Sequence, residues 1–445
     1  MKIYNSLTNK IEEFKPITPG VVNMYACGPT VYNYPHIGNA RPIVVFDTLK
    51  NTLEALGYQV KYVSNFTDVD DKIINKALEE GVDEKIIAER YIVAYNNDRL
   101  ALNAAIPDAC PRVTDTMEAI IAYIGELEAK GFAYAIDGDV YFRVTKIADY
   151  GKLSGQKIED LMVGARIDEN SRKENPLDFT LWKQTDQGVK WDSPWGKGRP
   201  GWHTECVVMI RNEFKTPLID IHGGGMDLKF PHHENEMAQG CASDHSNVAN
   251  YWVHNGMINI DGEKMSKSLG NVVWAKDFIE KFGGNQVRWL LLSAHYRAPL
   301  NLSEETINNA GNELNKIETS LKQVQVKYQL AGIKNDESQY ESSGYQEFLD
   351  AMSDDLNTPN AFKALFETNK KLNQSLRTRD IDFNTTLALY NSILKMLKVL
   401  GIKPQLINLT AEDKQMFKDW DEAKKAKDFA AADQYRNALI AKGLL

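Results

Sequence analysis

Between residues 21 and 64 the chain writes a strand, a helix and a second strand in close succession, an order few architectures accommodate. Val21-Val22-Asn23-Met24-Tyr25-Ala26 is a short apolar run of the kind a buried strand shows, and Cys27-Gly28-Pro29-Thr30 breaks it. Val45, Leu49, Leu53 and Leu56 then recur at helical spacing, which predicts a helix with one apolar face, stopped by Gly57. Val60 to Ser64 predicts the next strand. Two strands joined by one helix form a parallel βαβ unit. Ligands in such sheets bind beyond the carboxyl ends of the strands, where Cys27, Asn65, Thr67 and Asp68 fall.

A second set of αβ signals appears much later. Leu218 to His222 predicts a strand running into Gly223-Gly224-Gly225, and His232 to about Cys241 predicts a helix. Tyr251-Trp252-Val253 and Met257 to Ile260 are strand-like, with Asp261-Gly262 as a turn. The stretch 112–200 between the halves reads as an insertion, with a helix near 115–130 and short strands such as Asp139 to Arg143. Two αβ halves around an insertion imply one split nucleotide-binding sheet. From about 285 the pattern is helical, with a polar linker at 331–344, helices over 345–378 and 384–400, and a charged Ala-rich segment to Leu445.

Composition excludes several classes. With 52 basic against 61 acidic residues the net charge is −9, which rules out a broadly basic nucleic-acid coat but not a basic groove on an acidic body. Within 401–445 basic and acidic residues nearly balance, so composition there carries no RNA signature. Cys27, Cys110, Cys206 and Cys241 are too few for a disulfide scaffold and suit a reducing compartment. No apolar stretch approaches the ~20 residues that cross a bilayer. The start, Met1 to Ser6, lacks an apolar signal core, so a cytoplasmic chain with no membrane partner is expected.

Two motifs point to phosphate. Pro35-His36-Ile37-Gly38-Asn39-Ala40-Arg41 stands where the first helix begins, and a helix start offers unpaired N–H groups and partial positive charge. Gly38 lets a phosphate approach the backbone and His36 can donate to it; a simple turn containing His and Gly is the competing reading. Asp261-Gly262-Glu263-Lys264-Met265-Ser266-Lys267-Ser268-Leu269-Gly270 follows a strand. Its two lysines, with serines and flanking glycines, fit a cationic loop that closes on pyrophosphate. A metal is the third possibility. His232 and Glu236 are four apart and share a helix face, and with Cys27 and Cys206 they make a plausible zinc set. No Cys-x-x-Cys anchors it, and plain burial of the cysteines competes.

The two phosphate motifs resemble the paired signatures of class I aminoacyl-tRNA synthetases. The first signature normally ends in histidine; Asn39 takes that place here and can donate to a phosphate oxygen without being a cation. Longer blocks resemble the cysteinyl members of that family. They are Cys27 to Tyr32, Asn65 to Lys72, Gly201 to Cys206, His222 through Asp227-Leu228 to Glu236, Ser293 to Arg297, and Asp354 to Pro359. The resemblance covers nearly the whole chain and is weak in 310–345 and after 400.

The resemblance implies an α/β fold, with a split Rossmann-like parallel-sheet catalytic domain, an α+β insertion and an α-helical C-terminal region. It divides the chain into 1–111 (first catalytic half), 112–200 (connective insertion), 201–260 (second half) and 261–330 (signature loop and helical stem-contact region). A tRNA-binding helical bundle at 345–400 and an anticodon-side segment at 401–445 follow, the latter read as truncated or naturally short. It further implies one zinc ion per chain on Cys27, Cys206, His232 and Glu236, and ATP with Mg²⁺ at His36, Gly38, Asn39, Lys264 and Lys267. His36 and Lys267 are the implied catalytic residues, and Gly28, Thr67, Trp202 and Asp227 the implied substrate contacts, with Asp227 toward ribose or ammonium. Cys110 and Cys241 match no implied site and read as structural. The implied partners are ATP, L-cysteine and tRNA(Cys), for a monomeric enzyme that ligates cysteine to tRNA through a cysteinyl-adenylate, releasing AMP and pyrophosphate.

Cysteine differs from serine by sulfur for oxygen, and apolar packing separates near-isosteres by only roughly 1–3 kcal/mol. A metal that prefers soft thiolate is the sharper selector, which makes a separate editing domain unnecessary. Three other readings compete: a ligase joining cysteine to an amino sugar, a non-catalytic RNA-binding paralogue and a zinc-stapled structural protein. The helical region 345–445 opposes the first, retention of Lys267 and the metal set opposes the second, and the phosphate motifs oppose the third. Lys267→Ala is expected to lower the adenylation kcat far more than it raises the KM for cysteine; steady-state exchange kinetics showing the reverse would mark ordinary ground-state binding.

Overall fold

The computed structural model describes residues 1–157, 172–264, 270–335 and 343–445. Strand β1 (Val21–Ala26) encloses Val22, Met24 and Tyr25 completely, as its apolar run predicts. Helix α1 (Ile37–Ala55) follows, with Val45, Leu49 and Leu53 buried along its inner face. It ends at Leu56 and Gly57, the latter left-handed at φ 93°. Strand β2 (Gln59–Val63) pairs parallel to β1, completing the predicted unit.

Strands β3 (Ile219–Gly225) and β4 (Ala249–Asn255) extend the same sheet in the order β4-β3-β1-β2, all parallel. Tyr25 lies opposite His222 and Ala26 opposite Gly223. A Cβ at Gly223 would stand 2.2 Å from the Phe46 ring of α1, so the close helix–strand approach requires glycine there. Helix α2 (Glu205–Phe214) precedes β3 and α3 (Glu234–Asp244) follows it. The insertion carries the helix Met117–Ala129 and an antiparallel sheet of Ala133–Ile136, Asp139–Phe142, Phe179–Gln184 and Gly198–Pro200. One apolar core runs through both parts, from Tyr25 and Val63 to Ile120, Phe142, Trp182, Met209 and Trp252.

The chain divides into two compact units. The first is Met1–Gly284 with Ala294–Ser303 and Ser353–Leu356; the second is Asn285–Ser293, Glu304–Met352 and Asn357–Leu445. Two details depart from the pattern reading. Leu300–Leu302, inside a region read as helical, is a strand that pairs parallel with Ile258–Ile260, because its two leucines are buried. The helical pattern over 345–378 is two helices, Ser343–Met352 and Thr358–Ser375. Between them Asp355 and Leu356 turn left-handed, at φ 59° and 48°, and the segment joins the first unit. There the buried Asp355 carboxylate accepts from the Tyr4 N–H, the Tyr296 hydroxyl and Arg297 Nε, at 2.8, 2.8 and 2.9 Å.

In the second unit, helices Glu304–Leu330, Thr358–Ser375 and Phe383–Leu400 pack around Leu314, Leu321, Leu365, Leu372, Ile393 and Leu397. Their starts are written in the sequence: Asn357 caps one through the Asn360 N–H, and Asp382 caps another through the Asn384 and Thr385 amides. Helices Ala411–Lys425 and Phe429–Ala441 pair over Phe417, Leu439 and Leu444. No helix among the described residues is long and apolar enough to cross a membrane. Asp355→Ala removes a buried acceptor from a guanidinium, a hydroxyl and an amide at once, and is expected to destabilise the first unit by about 3 kcal/mol in urea unfolding; a change within error of zero would contradict the role.

Candidate metal centre and nucleotide site

The carboxyl edge of the parallel sheet gathers the polar residues that the surrounding apolar core excludes. Cys27 follows β1, and its amide donates to Gly223 O on β3 at 3.0 Å. Gly28 is forced by crowding, since a Cβ there would stand 1.7 Å from Asn65 O; its amide instead donates to Asn65 Oδ1 at 2.9 Å. Cys206 sits in the first turn of α2, His232 in the short turn Lys229–His233 and Glu236 in the first turn of α3. The Cys27 and Cys206 sulfurs are 3.6 Å apart. Cys206 Sγ is 3.7 Å from His232 Nε2, and His232 Nε2 is 2.8 Å from Glu236 Oε1. The donor atoms of Cys27, Cys206, His232 and Glu236 thus lie within 4.8 Å of one another.

A second set, Cys27, His222, His233 and Glu236, meets the same criterion and shares two members with the first. Within it His233 Nε2 lies 3.3 Å from Cys27 Sγ, much as Cys206 meets His232 in the first set. His222 Nε2 is 2.6 Å from Glu236 Oε2, and its ring stacks on Trp252. His233 Nδ1 is 2.8 Å from His254 Nε2, and His254 Nδ1 is 2.8 Å from Ser6 Oγ. A tetrahedral site with Zn–S bonds of about 2.3 Å separates two thiolates by about 3.8 Å, close to the spacing of Cys27 and Cys206. The first set offers two sulfurs, the second one, so zinc fits the first better, with His222 orienting Glu236 from behind.

Electrostatics matches a site that trades protons for a cation. Burial and the neighbouring Cys206 raise the Cys27 thiol well above its ordinary value. The hydrogen bond from Cys27 brings Cys206 down to about 7, against burial. Burial opposes charge on His232, but Glu236 and Cys206 outweigh it and hold the imidazole at about 10. Glu236 stays far below the carboxylate range, because His232 and His222 overcome its burial. Burial and His232 depress His203 to about 3, and burial does the same to His254, so both stay neutral.

The other candidate residues distribute around this cluster. Trp202 is 40% exposed and stacks on the His232 ring at 4.3 Å, so it covers that histidine from the solvent side. Thr67 is buried and donates to Glu205 Oε2 at 2.6 Å. Asp227 is exposed in the turn Met226–Leu228 directly after β3. His36 is the N-cap of α1, and its amide donates to Asn39 Oδ1 at 3.1 Å. The asparagine in the fourth position therefore closes the helix start on which Gly38 lies. The backbone joins this start to the segment after the signature loop, with the Ile37 amide on Val273 O and the Ala275 amide on Pro35 O, each at 2.9 Å. Lys264 ends the strand Glu263–Lys264; Lys267 lies outside the described residues. Cys110 and Cys241 belong to neither metal set.

Sequence reasoning missed His222, His203, His254 and Glu205 as participants. His222, a titratable residue between Ile221 and the three glycines at the sheet's carboxyl end, was the available signal. Glu234, next to the ligands, turns away: its carboxylate accepts from the Gly151 and Ser154 amides at 2.9 and 2.7 Å and ties the insertion to α3.

A family model described as the class I (C) tRNA synthetase catalytic domain matches residues 13–312, and a DALR domain model matches residues 347–404. A cysteine–tRNA ligase of Brevibacillus brevis is 46% identical over 454 residues, spanning 100% of this chain and 97% of its own length. One from an Exiguobacterium species is 47% identical over 446 residues, spanning 99% and 96%. Among solved structures, Mycobacterium tuberculosis methionyl-tRNA synthetase in complex with methionyl-adenylate superposes with a TM-score of 0.64 at 17% identity, covering 93% of this chain and 96% of that one. Thermus thermophilus arginyl-tRNA synthetase gives 0.59 at 12% identity, covering 90% and 85%. These two share the fold.

His222→Ala frees the second oxygen of Glu236 and is expected to weaken zinc binding about 10- to 100-fold in chelator competition; an unchanged affinity would remove His222 from the site.

Proposed function

The chain belongs to the cysteine–tRNA ligases, class I tRNA synthetases that charge tRNA with cysteine, and from that premise we propose that it works through a cysteinyl-adenylate with zinc held by Cys27, Cys206, His232 and Glu236. The observation that carries this reading is the convergence of those four donor atoms in a chain so similar to such ligases over its whole length. When bound, zinc supplies a soft centre that lowers a thiol's pKa and so favours the substrate sulfur as an anion, while a serine hydroxyl stays neutral.

The chain's own residues do the rest. Trp202 narrows the approach to the cluster, and Thr67 and Gly28 border the amino-acid pocket, with Asp227 toward the ribose or the ammonium. The cysteine carboxylate attacks the α-phosphate of ATP and pyrophosphate leaves. Both reactants are anionic, so catalysis is chiefly positioning and charge stabilisation. His36 and the amides near Gly38 hold the phosphates, with Asn39 fixing the helix start that presents them. Lys264 and Lys267 neutralise the leaving pyrophosphate, and Mg²⁺ accompanies ATP. The cysteinyl group then passes to the 3′-terminal adenosine of tRNA and AMP is released.

Cysteine-dependent ATP–pyrophosphate exchange tests the reading. The purified chain is expected to exchange with cysteine and hardly at all with serine, and to lose that preference in a metal-stripped, still-folded form. Discrimination that survives metal removal would refute the zinc role, and absence of exchange with cysteine would refute the adenylate.

A further inference from the structure

Arg41, the last residue of the first phosphate motif, has no part in the chemistry above, yet it is among the largest side chains that the chain encloses completely. It lies on α1, one turn beyond Gly38. Among the described residues no carboxylate pairs with it. Its partners are backbone oxygens: Nη1 donates to Gly256 O and Met257 O, each at 2.8 Å, and Nη2 donates to His295 O at 3.3 Å. Burial lowers the guanidinium to about 10, so it is still a cation at neutral pH. A buried cation without a counter-charge is costly, and a neutral amide could meet one carbonyl without that cost. The planar fork of an arginine is what reaches all three.

Those carbonyls belong to one small structure within the first unit. Gly256 and Met257 follow β4 and lead directly into the hairpin of Ile258–Ile260 and Glu263–Lys264, in which Asn259 stands opposite Lys264. The foot of the hairpin is also tied to the chain around His295, with the Gly256 amide on Tyr296 O at 2.8 Å and the Leu300 amide on Met257 O at 3.0 Å. A Cβ at Gly256 would stand 2.4 Å from Ala298 O, so that approach requires glycine. Past the signature loop the chain returns to α1, through the bonds of Val273 and Ala275 to Ile37 and Pro35. The start of α1 therefore holds the chain on both sides of the loop, by backbone on the far side and by Arg41 on the near side.

We propose that Arg41 is a positioning residue for adenylate formation: it fixes the foot of the hairpin that carries Lys264 against the start of α1, and so sets where that lysine meets the leaving pyrophosphate. Arg41 touches neither substrate. It acts through the hairpin, so its effect belongs to the first step of the reaction and not to transfer onto tRNA.

The proposal rests on the adenylate reading of the site, and its test keeps the two apart. Arg41→Met and Arg41→Lys are measured in cysteine-dependent ATP–pyrophosphate exchange, and in transfer of the cysteinyl group to tRNA(Cys) from cysteinyl-adenylate already formed on the enzyme. Arg41→Met is expected to lower the exchange kcat about 100-fold, with the KM for cysteine and the transfer rate within about 2-fold of wild type. Arg41→Lys, which keeps the charge and reaches fewer carbonyls, is expected to lose only about 10-fold in exchange. In the Lys264→Ala background, itself slow in exchange, either change at Arg41 is expected to cost little more, because both substitutions remove one interaction. Fully additive losses, equal loss of exchange and transfer, or wild-type exchange would overturn the role, and Arg41→Lys carries these comparisons if Arg41→Met does not fold. Wild-type exchange in Lys264→Ala, or no exchange with cysteine in the unaltered chain, would instead overturn the reading on which the proposal rests.

Discussion

Parallel pairing of two strands far apart in sequence is the constraint from which the site follows. Val21–Ala26 and Ile219–Gly225 lie side by side with Ala26 opposite Gly223, and the Cys27 amide continues the ladder onto Gly223 O. That register sets the first cysteine at the edge where α2 and α3 begin, and those helices bring Cys206 and Glu236. A one-residue slip would turn Cys27 to the opposite face. Glycine at 223 keeps α1 against the sheet, so the start of α1 and the cluster of Cys27, Cys206, His232 and Glu236 share one edge.

Burying two thiols, several imidazoles and a carboxylate together is costly unless each finds a partner. Here Glu236 is gripped from both sides by His222 and His232, and His233 leans on His254, which in turn meets Ser6. The donor atoms of the pocket are already one another's partners, so a cation can replace the protons they share with little rearrangement.

Much of this was legible in the sequence where local periodicity reports burial. The βαβ unit and the βα order of the later half follow from spacings of apolar residues. The convergence of Cys27, Cys206, His232 and Glu236 was legible only through likeness to a family, because no spacing relates Cys27 to Cys206. His222 escaped notice because its partner, Glu236, lies on another element, and a residue's second partner is a tertiary fact. Leu300–Leu302 was misread for the same reason: three residues carry too little pattern, and the strand exists because Ile258–Ile260 offers an edge. The break at Ser353–Leu356 likewise reflects Asp355 reaching Tyr4 and Arg297, which no propensity encodes.

The central claim is that the four gathered side chains hold one zinc ion that then takes the substrate sulfur. X-ray absorption at the zinc edge of the purified chain tests it most directly. The account predicts a first shell of two sulfurs and two lighter donors, from Cys27, Cys206, His232 and Glu236, that gains one sulfur on addition of cysteine and none on addition of serine. A sulfur count that cysteine leaves unchanged would contradict it.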